Sequence, residues 1–334
     1  MLQGGQVKKS YKRPKRVAQQ TLNRIAKVSY KKLIKPTVPV LAILVSYGML
    51  QRSTLQLLRL PFSYFLMPIY WFALSFVPHI NWQKSLLIFL LLHGILYPSS
   101  NGYNSYMDRD EASIGGIEKP MQPTKQLFWV SVMLDVVGTF LSLIISIKFC
   151  VAFVGYISCS RLYSYRGVRL KRFAILGYIT VILNQGMLTF YMVFIGASDG
   201  FIATMPLLPF IASAFLIGGF YPITQVYQHK QDAADGVKTI SMLLGKKGTF
   251  IFCALMYSVV FGLLFQYFQQ QNNLLPFYIL QIFFLPIIVY FISWAMQVWR
   301  NDFLADFKHT MQLNWLASTC TNLAFITLLI LNKI

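Results

Sequence analysis

Gly94-Ile-Leu-Tyr97-Pro98-Ser-Ser-Asn101-Gly-Tyr103-Asn104-Ser-Tyr-Met-Asp108-Arg-Asp110-Glu111 recurs 124 residues later as Gly218-Gly-Phe-Tyr221-Pro222-Ile-Thr-Gln225-Val-Tyr227-Gln228-His-Lys-Gln-Asp232-Ala-Ala-Asp235. Glycine, both tyrosines, proline and aspartate are identical, and Asn101/Gln225, Asn104/Gln228 and Glu111/Asp235 are chemical equivalents. The matches fall on polar, proline and glycine positions rather than on leucines, which marks an internal repeat rather than shared apolar composition. Each copy ends a long apolar run. In helical register, residues at i, i+4 and i+7 share one face, so each helix end is expected to present one amide and two carboxylates. Two such ends facing each other would form a cage of four carboxylates and two amides.

These acids stand out because the chain has only 10 Asp and Glu against 30 Lys and Arg, a net charge of +20. None precedes Asp108, and six of the ten lie in the two copies or, as Glu118, just after the first. Carboxylates at membrane depth are costly unless they hold a cation or a partner. A hydrophobic content of 56%, 12% charged residues and a mean hydropathy of +0.55 exclude an ordinary soluble domain. Apolar runs near 62–79, 84–103, 126–144, 146–163, 173–196, 201–224, 249–268, 275–297 and 312–331 are long enough to cross a bilayer. They predict an all-α, polytopic membrane protein, a bundle of nine transmembrane helices over residues 55–334. Residues 1–54 would form a basic cytoplasmic arm, with an interfacial segment at 38–50 too short to span.

With a cytoplasmic N-terminus, every basic residue except Lys84, Lys148 and Lys333 falls on the inner side. The positive-inside rule therefore places the protein in the cell (inner) membrane with its N-terminus and both acidic segments cytoplasmic. The positive charge is a topology signal, not a nucleic-acid footprint. Cys150, Cys159, Cys253 and Cys320 form no CxxC pair and read as packing residues. Asp135 is an isolated intramembrane acid, a functional candidate by position whose alternatives are protonation or a bond to a polar helix residue such as Asn184 or Gln185.

Oxygen-rich sites select hard cations, and magnesium completes its shell with waters and substrate phosphate oxygens. A phosphate grip is offered by Arg161-Leu-Tyr163-Ser-Tyr165-Arg166-Gly-Val-Arg169-Leu-Lys171-Arg172, and Lys238 follows the second copy. A magnesium-diphosphate site in an aromatic-rich bundle suits ionisation of an allylic diphosphate, with the carbocation shielded by aromatic faces. The rival class is a membrane carrier built on a repeat, whose site would lie nearer the midplane.

These residues resemble the UbiA superfamily of intramembrane prenyltransferases, which carry Asn-x-x-x-Asp-x-x-x-Asp after the second helix, Asp-x-x-x-Asp after the sixth, and a Tyr…Lys-Arg element between the fourth and fifth. Asn104 and Asp108 match the first motif, Asp232 the second, Gly236 and Thr239 its usual sequel, and Tyr163 with Lys171-Arg172 the middle element. Glu118-Lys119-Pro120 is similar to the Asn-x-Pro closing the first loop. The resemblance implies a nine-helix fold that transfers a prenyl group from a prenyl diphosphate to a lipophilic acceptor (aromatic, polyene or alcohol), with Mg2+. Asp108, Asp232, Asn104 and Gln228 are read as catalytic, and Asp108, Glu111, Asp232 and Asp235 as metal ligands, with Asp110, Glu111 and Asp235 supplying from shifted positions the oxygens that the motif departures remove. Tyr103, Tyr163, Arg169, Lys171, Arg172, Tyr227 and Lys238 would bind substrate. Ala112 and Gln228 depart from the motifs, so a catalytically degenerate member acting as a partner is the third reading.

Overall fold

A lipid interior leaves backbone polar groups no water, so a chain of this composition must satisfy them within helices. The computed structural model describes residues 50–199 and 204–333. Among the described residues there are nine helical rods and one short helix. They are α1 (Arg52–Ser75), α2 (Trp82–Asp108), α3 (Lys125–Ser142), α4 (Ile147–Ser164), α5 (Ala174–Ala197), α6 (Leu207–Gln225), the short α7 (His229–Ala234), α8 (Ile240–Gln270), α9 (Leu275–Arg300) and α10 (Phe307–Leu331). Seven of the rods are long and apolar enough to cross a membrane. The other two, α3 and α4, are diluted by Asp135, Lys148 and Arg161. Their outward sides are still apolar, with Phe140, Ile144, Ile147 and Val151 all more than half exposed.

Two sequence expectations need adjustment. The first rod begins at Arg52, ten residues before the expected span, because its start is broken: a helix at Arg52–Leu57 passes through left-handed Arg59 (φ 48°) into a 3-10 turn at Leu60–Phe65. The interfacial segment expected at 38–50 and the basic arm expected over 1–54 lie outside the described residues, apart from residues 50–54, where α1 already begins.

Without a hydrophobic driving force between helices in lipid, association rests on close packing and hydrogen bonds. Phe72 of α1 lies 4.7 Å from Phe325 of α10 and 5.7 Å from Phe190 of α5, ring centre to ring centre, and all three are fully buried. This aromatic hub holds the first, fifth and last rods together, each pair contributing roughly 0.5–1.5 kcal/mol beyond area burial. At Gly186 the backbones of α5 and α6 touch. A Cβ there would sit 2.6 Å from the Ser213 carbonyl oxygen, so only glycine permits the approach.

α2 and α5 each contain a π-helical turn, at Leu91–Leu96 and Ile182–Leu188. In α2 the turn immediately precedes Pro98, which has no N–H to continue the regular ladder. In α5 the turn carries Asn184 and Gln185 into the interior cavity.

Candidate active site

The two repeat copies diverge in backbone. The first stays helical to Asp108, where Arg109 turns left-handed (φ 55°) and ends α2. The second breaks: a 3-10 turn at Pro222–Gln225 precedes α7, which keeps only the Gln228–Asp232 part of the helical register, with the Asp232 N–H donating to the Gln228 carbonyl at 2.9 Å. Gly236 (φ 67°) then closes α7, the Val237 N–H returning to the Asp232 carbonyl at 2.8 Å.

Both ends open on one cavity of ≈ 1380 Å³, counting the solvent in its mouth. Asp108, Asp110, Asp232 and Asp235 line it, together with Asn104, Gln228, Tyr163, Tyr227 and Lys171. Glu111 does not. The left-handed turn at Arg109 takes it off the helical face, so Glu111 is exposed to solvent and Asp110 turns inward in its place. Tyr103 also lies off the wall: its ring stacks under the Arg161 guanidinium, 4.1 Å away, on the side of α2 facing α3 and α4. Arg172 and Lys238 are exposed, and Arg172 lies over the Phe173 ring.

The acids are not equivalent. Asp108 is 9% exposed and accepts from Lys171 Nζ and, at 3.4 Å, from Arg169 Nη2. The same Arg169 donates to the Asp235 carboxylate and, at 2.9 Å, to its carbonyl, while Arg166 lies 3.5 Å from Asp235. Arg169 therefore ties one copy of the repeat to the other. Asp110 accepts from Gln231, and among the described residues Asp232 forms no ion pair. Burial pushes Asp232 up to about 7 and Asp110 up to about 6, with Lys171 opposing the rise in both. These two carboxylates face the cavity without a full complement of positive charge.

The amides are held from behind. Asn104 Oδ1 accepts from Ser164 at 2.8 Å, and Gln228 Nε2 donates to the Ser113 carbonyl at 3.3 Å. The expected cage is thus altered: two carboxylates are already neutralised by cations, two have no ion-pair partner among the described residues, and both amides are engaged. No three acidic or histidine side chains among the described residues gather closely enough to hold one ion alone. Magnesium does not require that, since it commonly takes one or two carboxylates and fills its shell with waters and substrate phosphates. The donor set, hard oxygens from opposite walls, fits it.

Asp135 pairs with Arg161 and accepts from Ser99, rather than from Asn184 or Gln185, because Arg161 is one helix away and carries the opposite charge. Asn184 instead donates to the Tyr156 carbonyl. Sequence reasoning missed Arg59, which lines the cavity; the available signal was an arginine three residues before the first apolar run.

A second, apolar cavity of ≈ 1170 Å³ lies between α1, α6, α8, α9 and α10, and shares Ile217 and Phe220 with the first. The two spaces adjoin across α6.

No curated protein sequence matches the chain. Solved structures do share its fold. A UbiA homolog from Archaeoglobus fulgidus bound to Cd2+ superposes with a TM-score of 0.60 at 18% identity, over 83% of this chain and 99% of that one. The apo structure of a UbiA homolog from Aeropyrum pernix K1 gives 0.61 at 16% identity, over 83% and 99%. The sequence profile of the UbiA prenyltransferase family matches residues 65–316, from the aromatic hub of α1 through both acidic segments into α10. With three-quarters of its length inside that profile, this integral membrane protein belongs to the UbiA prenyltransferase family.

Proposed function

We propose that the protein transfers a prenyl group from a prenyl diphosphate to a lipophilic acceptor at the cytoplasmic face of the membrane. The observation that carries this reading is the unpaired, elevated Asp232 carboxylate opposite Lys171 and Asp110 in a cavity that adjoins an apolar space. Asp232 and Asp110 would hold magnesium, joined by Asp108 and Asp235 as Arg169 and Lys171 shift toward phosphate. Bound there, the metal supplies charge neutralisation for the departing diphosphate. Similar structures from Archaeoglobus fulgidus are bound to DMAPP with Mg2+ and to GPP with Mg2+, which supports the same donor class here.

The chain's own residues account for the remainder. Lys171 and Arg169 grip phosphate oxygens, exchanging carboxylate partners for diphosphate. The bond between the prenyl C1 and the diphosphate oxygen breaks with its electron pair leaving on pyrophosphate. Tyr156, Tyr163 and Tyr221, all on the cavity wall, offer aromatic faces to the resulting allylic cation. Tyr163 and Tyr221 are fixed by a mutual hydroxyl hydrogen bond. The acceptor attacks C1 and gives up a proton, and the prenyl tail reaches past Ile217 and Phe220 into the apolar space.

A catalytically silent member is the second reading, favoured by the neutralised state of Asp108 and Asp235. Purified protein incubated with magnesium, geranyl diphosphate and a membrane-extract acceptor pool should release pyrophosphate, and Asp232→Asn should reduce release at least about 100-fold. Geranyl diphosphate binding without any release would establish the silent reading instead.

A further inference from the structure

We propose that His229 is a positioning residue: it fixes the rotation of α7, and through it the aim of Asp232 into the cavity, by donating into a row of hydroxyls that bridges a kink in α8. Its link to catalysis rests on the prenyltransferase reading; the latch itself rests on the geometry alone.

The α7 helix has only six residues, and none of them is buried. Helices shorter than about 12–15 residues are marginal by themselves, so side-chain bonds rather than packing must set its orientation. Neither end is stiff, with a 3-10 turn before α7 and Gly236 (φ 67°) after it. Gln228, Gln231, Asp232 and Asp235 line the cavity. Two of these reach the first loop, Gln228 to the Ser113 carbonyl at 3.3 Å and Gln231 to Asp110. His229 lies off the cavity wall, about 60° round the helix from Asp232 at 3.6 residues per turn. It reaches α8 instead, with its Nε2 2.8 Å from Ser241 Oγ.

The hydrogen bonds run one way. Gly245 (φ 68°, ψ 171°) interrupts α8, and Ser241 and Thr249, both fully buried, bridge the break at 3.0 Å. Thr249 donates to the Gly245 carbonyl at 2.7 Å, with the Ser241 carbonyl at 3.3 Å. A hydroxyl has one hydrogen to give, so Thr249 Oγ1 accepts from Ser241, and Ser241 Oγ in turn accepts from His229. Burial, and then Lys246, holds His229 below its ordinary value, so the ring is neutral near neutral pH and the hydroxyl row assigns its one proton to Nε2. His229 therefore donates away from the cavity, and it holds α7 rather than taking a proton from the acceptor. Its anchor is fixed, because the row terminates on the carbonyl of the kink itself. Without that bond the segment is held from the first loop and by Arg169 on Asp235, but not from α8, and Asp232 loses its fixed line across the cavity to Asp110.

The test uses the full chain in detergent. His229→Leu keeps bulk and removes the donor, His229→Gln returns a donor at similar reach, and Ser241→Ala removes the acceptor. In the metal-free protein, amide hydrogen exchange over residues 229–237 should quicken about three- to ten-fold in His229→Leu, the span expected of one neutral hydrogen bond. It should return to within about two-fold of the parent in His229→Gln. Binding of geranyl diphosphate with magnesium, read by calorimetry, should weaken over the same span and recover with the same substitution. Ser241→Ala should match His229→Leu, and the double variant should be no worse than either, because both changes remove one shared bond. Should His229→Leu fail to fold, Ser241→Ala with and without His229→Gln carries the same comparison. The proposal is overturned if exchange and binding stay within about two-fold of the parent in His229→Leu and Ser241→Ala, if glutamine recovers neither, or if the two losses add. If the unsubstituted protein does not bind geranyl diphosphate, the prenyltransferase reading fails and exchange alone decides the latch.

Discussion

Arg169→Gln removes the cation that joins the two acidic segments, and its effects should separate a metal site from a structural clamp. Arg169 lies 3.4 Å from Asp108 and closer to Asp235, with side chains 9%, 4% and 30% exposed respectively. At that distance and an effective dielectric near 20, one such pair is worth roughly 5 kcal/mol before desolvation. Much of this is offset by the cost of burying the charges, and the variant is not left bare. Lys171 stays on Asp108, and Arg166 stays 3.5 Å from Asp235. The metal-free variant should therefore lose about 2 kcal/mol, less than the ~3–5 kcal/mol of a fully uncompensated buried charge. Magnesium alone should then raise the variant's melting temperature more than it raises the parent's, since a divalent cation can take the place of the guanidinium. Affinity for geranyl diphosphate with magnesium should fall about ten-fold, because one phosphate-binding fork is gone. Melting curves with and without 5–10 mM magnesium (roughly the range that saturates weak carboxylate sites) provide the assay. A magnesium response no larger than the parent's would refute the argument and leave Arg169 as a simple fastener.

Two further predictions follow from the charges. Because Asp232 is raised to about 7, its protonated form stabilises the fold; that contribution is complete below the unfolded value near 4 and lost as pH rises through about 7. The metal-free protein should thus melt at lower temperature at pH 8 than at pH 5, Asp232→Asn should flatten the dependence, and an equal slope in both would rule out Asp232 as its source. Asp135→Ala leaves the half-buried Arg161 without its carboxylate and should cost about 2 kcal/mol, below the range for fully buried pairs, whereas Asp135→Leu with Arg161→Met should cost less. Equal melting temperatures for the single and double variants would contradict a half-buried, paired Asp135.

Hydrophobic run length and the repeat made the bundle and the acidic ends legible, because lipid allows few alternatives to a helix and few reasons for a buried acid. The details that escaped were backbone details. The i, i+4, i+7 argument assumed unbroken helices, but a left-handed Arg109 took Glu111 off the cavity and left Asp110, the neighbouring shifted candidate, on it, and a 3-10 turn reshaped the second copy. Tyr103 and Tyr227 occupy equivalent repeat positions, yet only Tyr227 reaches the cavity, since Arg161 claims the Tyr103 ring from the other side of α2. Arg59 was hidden for a similar reason: its inward aim depends on one left-handed residue that no periodicity reveals.

The two copies also divide labour in a way their sequences alone do not suggest. The first offers Asp108 on a rigid helix, anchored from behind by Ser164 on Asn104 and by the Asp135–Arg161 pair through Ser99. The second offers Asp232 from a short helix whose ends are a 3-10 turn and a glycine cap, and whose carboxylate feels Lys171 without pairing with it. A cation arriving at the cavity gains most at Asp232, where burial disfavours the carboxylate charge until a cation compensates it. Arg169 and Lys171 then have a reason to leave Asp108 and Asp235, since an incoming diphosphate brings more negative charge than the carboxylates they release. In this order the basic loop responds to the metal and diphosphate together. Magnesium alone should move it less than magnesium with geranyl diphosphate, which protection of residues 165–172 from amide hydrogen exchange would measure.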